Sequence, residues 1–361
     1  MTVLNRIPEG VLRERSRPRL VVRLAAVAFT LVLCCASAEI FLRTISPWTG
    51  RTPRPVDADA RDLPVLRDLF DILKPNVRGQ FYGRLYESNN DGLRGPDVPI
   101  EKGPNTYRVV LLGDSFTNGQ GVRYEESYAA LLSKRLNDGR DARHFDVINL
   151  GLGGLNLHES VRMLIDRGMK YKPDLLIYGY TVNDIEGPFY RTSRKQGPLQ
   201  WTSPSRIVNL LGDQWSYFRD IFWHAPGSYL WELDDNYFRN PPAWDYWKTD
   251  FRNLRRIANE NGICLVVLLH AELTALHSLY PYRPYYEAVS EVARATGTPV
   301  IDSFPYFQSR NPRDLWVNAF DYHPNPAGHE ILTRALAEGL KDIPEKCWRG
   351  HPPSTLTSPG A

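Results

Sequence analysis

The 361-residue sequence predicts an α/β protein, a three-layer α/β/α sandwich on a parallel sheet of about five strands, preceded by a membrane helix. Three observations predict it. Short apolar runs rich in Val, Ile and Leu, at 107–112, 145–150, 174–180, 263–270 and 299–302, suit strands buried on both faces. Helical patterns at 127–137, 158–171, 245–261, 283–296 and 327–341 alternate with them, the order that builds a parallel sheet. An arginine-rich head also runs straight into an apolar stretch near the N-terminus.

Residues 1–23 form that head. Arg6, Arg13, Arg15, Arg17, Arg19 and Arg23 face only Glu9 and Glu14, a net of +4; against +3 for the whole chain, −1 remains for the rest. The pI near 8.6 is therefore a topology signal. No basic face for a phosphate backbone follows, and nucleic acid is not an expected partner.

Residues 24–43 read as a signal-anchor helix, with an apolar run over 24–38 ahead of Glu39. Positive-inside logic keeps the head in the cytoplasm and sends the remainder outside, to the periplasm or cell surface. Ala36-Ser37-Ala38 also reads as a cleavage site, in which case the protein is secreted. Glu39 and Arg43, four apart, are spaced to pair.

Residues 44–105 read as a stalk, over 44–64, and a turn-rich lead-in. The sheet domain spans 106–342. Its alternation breaks at 185–244, an insertion with Trp201, Trp215, Trp223, Trp231 and Trp244, and Trp247 at its edge. These aromatics are read chiefly as the insertion's own core, with a few lining a cleft or meeting the membrane interface. Residues 343–361 read as a disordered tail. Cys34 and Cys35 lie in the apolar run; Cys264 reads as a buried apolar side chain, with a bond to Cys347 left open. The spacing of the four suits no metal site.

Chemistry gathers where strands end. The first strand runs into Gly113-Asp114-Ser115 and a glycine-containing turn, placing Ser115 at the C-terminal edge of the sheet. The second is followed by Asn149-Leu150-Gly151-Leu152-Gly153-Gly154, a turn whose N–H groups can approach an oxyanion. Val182-Asn183-Asp184 follows the third and supplies an amide donor. Asp321-Tyr322-His323-Pro324-Asn325 precedes the last helix and brings a base with a neighbouring carboxylate. Asp184 and Asp302 read as turn-bonding carboxylates, and His270 and Glu272 as loop polar groups at the same edge. Asn90, Asp91 and Arg94 read as a structural turn. A dinucleotide-binding sheet is the rival, and it fails because no G-x-G-x-x-G follows the first strand.

In the order of these blocks the sequence resembles the SGNH/GDSL hydrolase family over 107–341. The resemblance implies a flavodoxin-like parallel sheet and a serine esterase that needs no cofactor and no metal. It implies Ser115 as nucleophile, His323 as base and Asp321 as its carboxylate, with Ser115, Gly154 and Asn183 as oxyanion donors. Two positions depart from the pattern. Thr181 stands where the third block has glycine, and Phe320 where the fifth has aspartate, leaving Asp321 one residue closer to His323. A Ser–His dyad is the alternative that this shift leaves open.

Three functions follow. The first is an acyl hydrolase acting through an acyl-enzyme on an acylated or acetylated small molecule, glycan or lipid. The second is an envelope polysaccharide O-acetyltransferase using the same intermediate, and the third a degenerate, membrane-tethered binding protein.

Overall fold

The computed structural model describes residues 17–45, 57–60, 62–66, 69–138, 141–192, 205, 207–208, 228–276, 279–318, 321–348, 353 and 356. Helix α1 (Arg17–Ile45) carries the apolar stretch Val21–Phe41, with mean hydropathy 2.2 and no part of it buried. It is long and apolar enough to cross a membrane. The Glu39 carboxylate accepts from Ser205 Oγ at 3.0 Å and the Ile207 N–H at 3.1 Å, contacts with the insertion that the expected pairing with Arg43 did not include. The Arg43 side chain lies outside the described residues.

The lead-in packs against the domain sooner than a stalk over 44–64 implies. Asp57 pairs with Arg84 at 2.9 Å, and Ala60 is fully buried. A hairpin of β1 (Arg78–Phe81) and β2 (Arg84–Glu87) follows, and Leu66, Ile72 and Tyr86 form a small core with Leu152.

The central sheet comprises β3 (Thr106–Gly113), β4 (His144–Asn149), β5 (Leu175–Tyr180), β6 (Cys264–Leu269) and β7 (Val300–Asp302), all parallel, in the order β4-β3-β5-β6-β7. Helices α2 (Tyr128–Leu136), α3 (Leu157–Met163), α4 (Pro241–Glu260), α5 (Arg283–Ala295) and α6 (Pro326–Gly339) supply the layers. Helices α2 and α6 pack together on one face, α3 and α4 on the other. The expected helix over 158–171 continues from α3 as a π turn at Leu164–Gly168 and a 3-10 turn at Met169–Tyr171. β3 and β5 are buried on both sides, as their continuous apolar sequences require.

In this order the chain changes direction across the sheet beside β3, and such a switch point opens a crevice outside the carboxyl ends of the strands. Register carries the other strands to the same edge: Gly113 lies opposite Gly179, Tyr180 opposite Leu269, and Leu269 opposite Asp302.

Two expectations for the C-terminus are corrected. Cys264 and Cys347 form a disulfide, so Cys264 is not a free apolar side chain. The expected disordered tail begins with packed residues: Ile343, Cys347 and Trp348 are buried, and Leu356 is too. The disulfide holds this segment against β6, and the Trp348 ring packs against Tyr107, whose hydroxyl donates to the Cys347 carbonyl. At the edge of the insertion, Trp247 is buried and stacks on Trp244 and Phe251, as expected of core aromatics. Trp201, Trp215 and Trp223 lie outside the described residues.

Candidate active site

The site starts with a tight exit from β3. Gly113 has φ +148°, and a Cβ there would lie 2.6 Å from the Gly179 carbonyl oxygen, so only glycine fits. Asp114 then caps one helical turn, Ser115–Asn118, and its carboxylate accepts from the Phe116 N–H and the Thr181 hydroxyl, both at 2.9 Å. Burial nevertheless pushes the Asp114 carboxyl above its ordinary range, and these bonds oppose the shift. Thr181, at the family's glycine position, thus ties the third block to the first.

The glycine-rich turn after β4 is laced to the same helical turn. Asn149 Nδ2 donates to the Thr117 carbonyl at 2.8 Å, and Asn118 Nδ2 donates to the Gly151 carbonyl at 2.9 Å. A Cβ at Gly151 would stand 2.6 Å from the Asn118 nitrogen, so the close approach needs glycine. Each hydrogen bond contributes about 1 kcal/mol net, enough together to hold one turn geometry.

Arg94, expected only in a structural turn, closes the far side. Its guanidinium is buried and donates to the carbonyls of Asn118 (2.7 Å), Gly119 (2.6 Å) and Val122 (2.6 Å). The Tyr86 ring lies 5.1 Å from the guanidinium carbon. Asp91 of the same turn bonds Lys170 at 2.6 Å and the Tyr171 hydroxyl.

His323 arrives from outside the sheet. β8 (Trp316–Asn318) and β9 (Asp321–Pro324) form a short antiparallel pair, and Asn325 caps α6 by accepting from the Gly328 N–H at 3.1 Å. His323 Nε2 lies 2.7 Å from Ser115 Oγ, and His323 Nδ1 lies 2.5 Å from Asp321 Oδ1. Ser115 and Asp321 are buried, and the His323 side chain is about one quarter exposed, at 24%. The one-residue shift of the carboxylate therefore leaves Ser115, His323 and Asp321 connected; Phe320 lies outside the described residues.

Burial is the largest influence on the His323 pKa and lowers it. The Asp321 hydrogen bond and charge outweigh it, with Asp114 and Glu272 adding, so the net shift is upward from 6.5. Gln120, which no block marks, puts its side-chain amide 3.3 Å from His323 Nδ1. Its position is set by tertiary packing, and no local signal in the sequence shows it.

The expected oxyanion donors sit at the same sheet edge. Among the described residues, no hydrogen bond engages the N–H groups of Ser115 or Gly154, or the side chain of Asn183. A Cβ on Gly153 would face Ser115 Cβ at 3.8 Å, whereas one on Gly154 would meet open space. Asn183 is half-buried on a 3-10 turn (Val182–Ile185) following β5. Asp184 on that turn is a buried structural group, accepting from Tyr178 OH at 2.6 Å and from the Thr181 N–H at 3.4 Å. Asp302 accepts from the Phe304 N–H at 2.9 Å and from Arg283 at 3.2 Å.

His270 and Glu272 differ from the satisfied loop groups expected. His270 is fully buried, its ring nitrogens have no partner among the described residues, and burial drives its pKa down to about 3. Its ring stacks on Phe116 at 5.5 Å. Glu272 is half-buried; burial, then the Asp114 charge, pushes its pKa up to about 7 despite the opposing effect of His323.

Solved structures similar to this chain include a catalytic mutant of Axe2, an acetylxylan esterase from Geobacillus stearothermophilus, at 17% identity and TM-score 0.42, covering 64% of this chain and 93% of that one. TesA shows 16% identity and TM-score 0.42, with 65% and 98% covered. The acetyl xylan esterase AlAXEase shows 14% identity and TM-score 0.40, with 63% and 97% covered. No curated protein matches. The family model for GDSL-like lipases and acylhydrolases matches residues 111–331, from β3 into α6 and across the Ser115, Asn183 and His323 segments just described, and the chain belongs to that family.

Proposed function

We propose that this GDSL-type acylhydrolase is a serine esterase working outside the cytoplasm, on an acylated or acetylated glycan or lipid, through an acyl-enzyme on Ser115. The carrying observation is the chain from Asp321 Oδ1 through His323 to Ser115 Oγ. His323 Nε2 takes the hydroxyl proton as Ser115 Oγ attacks the ester carbonyl carbon. The resulting oxyanion is held by the Ser115 and Gly154 N–H groups and the Asn183 amide. The carbon–alkoxide bond breaks and His323 returns the proton to the departing alcohol. Water then attacks the acyl-enzyme, giving its proton to His323, and the released acid leaves Ser115 regenerated. Asp321 fixes the ring orientation and favours the protonated form that appears in between. The departures that support a degenerate fold have counterparts: Thr181 bonds Asp114, and Asp321 reaches His323.

Membrane attachment is supported by the apolar stretch Val21–Phe41, and the outside location by the arginines before it and the Cys264–Cys347 disulfide, a bond that persists in oxidising compartments. Alkylation of quenched cells should recover that disulfide intact. Recovery of both cysteines as free thiols would place the domain in the cytoplasm.

The functional test is hydrolysis of a short-chain aryl ester by the detergent-solubilised full chain. Ser115→Ala should lower kcat by roughly 10³-fold or more. Undiminished turnover would remove Ser115 as nucleophile. Adding an acceptor glycan during turnover separates hydrolysis from transfer, since a transferase would divert the acyl group to it.

A further inference from the structure

A second concave site lies away from Ser115. A groove of about 710 Å³ is lined by residues of helices α2 and α6 and by Arg310 and Leu315. Lys134 and Arg135 come from α2, Arg334 comes from α6, and with Arg310 they place four cations on its walls. Among the described residues, Asp138 and Glu330 are the only acids lining it, so the described lining carries a positive excess in a chain that is near −1 beyond residue 23.

Basic residues at the end of α2 have an ordinary use, since they complement the helix dipole. Arg135 does not fit that use alone. Its Nε and Nη2 are buried and make no hydrogen bond with any described residue. Glu330 and Arg334 are spaced i, i+4 on α6, but the Arg334 guanidinium lies 5.7 Å from the Tyr306 ring, and Arg310 Nε donates to the Tyr306 carbonyl at 3.1 Å. None of the four cations is ion-paired among the described residues. A guanidinium with two of its three nitrogens buried and unpartnered is costly to hold, and an anion at the groove satisfies it.

We propose that this groove binds a ligand bearing carboxylate or phosphate oxygens. Arginine's planar fork matches both groups with two parallel hydrogen bonds, which a lysine cannot reproduce. Leu131 and Ile331 on the groove lining offer apolar surface for the uncharged body of the ligand. A concave site with a half-buried guanidinium suits a discrete anionic group better than a flat array of lipid headgroups. Ser115, His323, Asp321, Gly154 and Asn183 do not line it, so binding is separable from ester hydrolysis.

The test is calorimetric titration of the detergent-solubilised full chain with inorganic phosphate and, separately, with tri-galacturonate, at matched ionic strength. Saturable one-site binding of either probe is expected, and which one binds more tightly identifies the oxyanion. Arg135→Gln should weaken that binding at least tenfold while leaving aryl ester turnover unchanged. Arg334→Gln, altered at an exposed site, provides a second reading if the first variant folds poorly, and the same direction is expected. The proposal is overturned if neither probe saturates, if both variants bind like the parent, or if only vesicles containing phosphatidylglycerol bind.

Discussion

Two histidines flank the Phe116 ring at the same 5.5 Å separation, one from the central sheet and one from the hairpin outside it. His270 follows β6, fully buried and with no partner on either nitrogen among the described residues, and its pKa is driven down to about 3. His323, on β9, is partly exposed, touches Ser115 on one side and Asp321 on the other, and its pKa is raised. In the proposed mechanism, nearness to the Ser115 turn alone does not make a base. A carboxylate behind the ring and room for charge do.

The largest expected break in this comparison is His323→Ala, which should lower kcat for an aryl ester by roughly 10³-fold or more. Restoring even a tenth of activity in that variant would show that another base serves. Asp321→Asn comes next, at roughly 10²–10⁴-fold, because the ring loses its orienting carboxylate. A loss of under about threefold would support a Ser–His dyad instead.

The pH profile sharpens the comparison further. His323 must be neutral to accept a proton, so kcat/KM should fall as pH drops through an apparent pKa above 6.5. Stability runs the other way: the favoured protonated His323 adds stability below 6.5, and this is lost as pH rises through the raised value. An acid limb centred below 6.5 would contradict the assigned electrostatics. The smallest effect belongs to His270→Leu, which removes two unpaired buried nitrogens. Stability should change by about 1 kcal/mol or less and kcat by under about threefold.

The same contrast explains what was legible in the sequence. Strands β3 to β7 begin and end within a residue or two of their expected ranges, because continuous Val, Ile and Leu runs admit few other solutions. Ser115, Asn149 and Asn183 follow from strand ends, where a parallel sheet puts its crevice. The hairpin was less legible, since β8 and β9 have only 3 and 4 residues and leave little periodicity. The reach of Asp321 to His323 depends on that hairpin, and two-residue spacing alone does not fix it. Arg94, Gln120 and the Cys264–Cys347 bond join segments far apart in the chain, the two cysteines at a sequence separation of 83, so tertiary packing decides them. The burial of Trp348 follows from the same anchoring and overrides a polar, proline-rich C-terminal composition.

The most direct measurement is intact-mass analysis of the full chain after reaction with a fluorophosphonate, with peptide mapping of the adduct. One adduct per chain, on Ser115, is expected, absent in Ser115→Ala and much slowed in His323→Ala. An adduct on another residue, or undiminished labelling of Ser115→Ala, would contradict the assignment of Ser115 as the nucleophile that His323 activates.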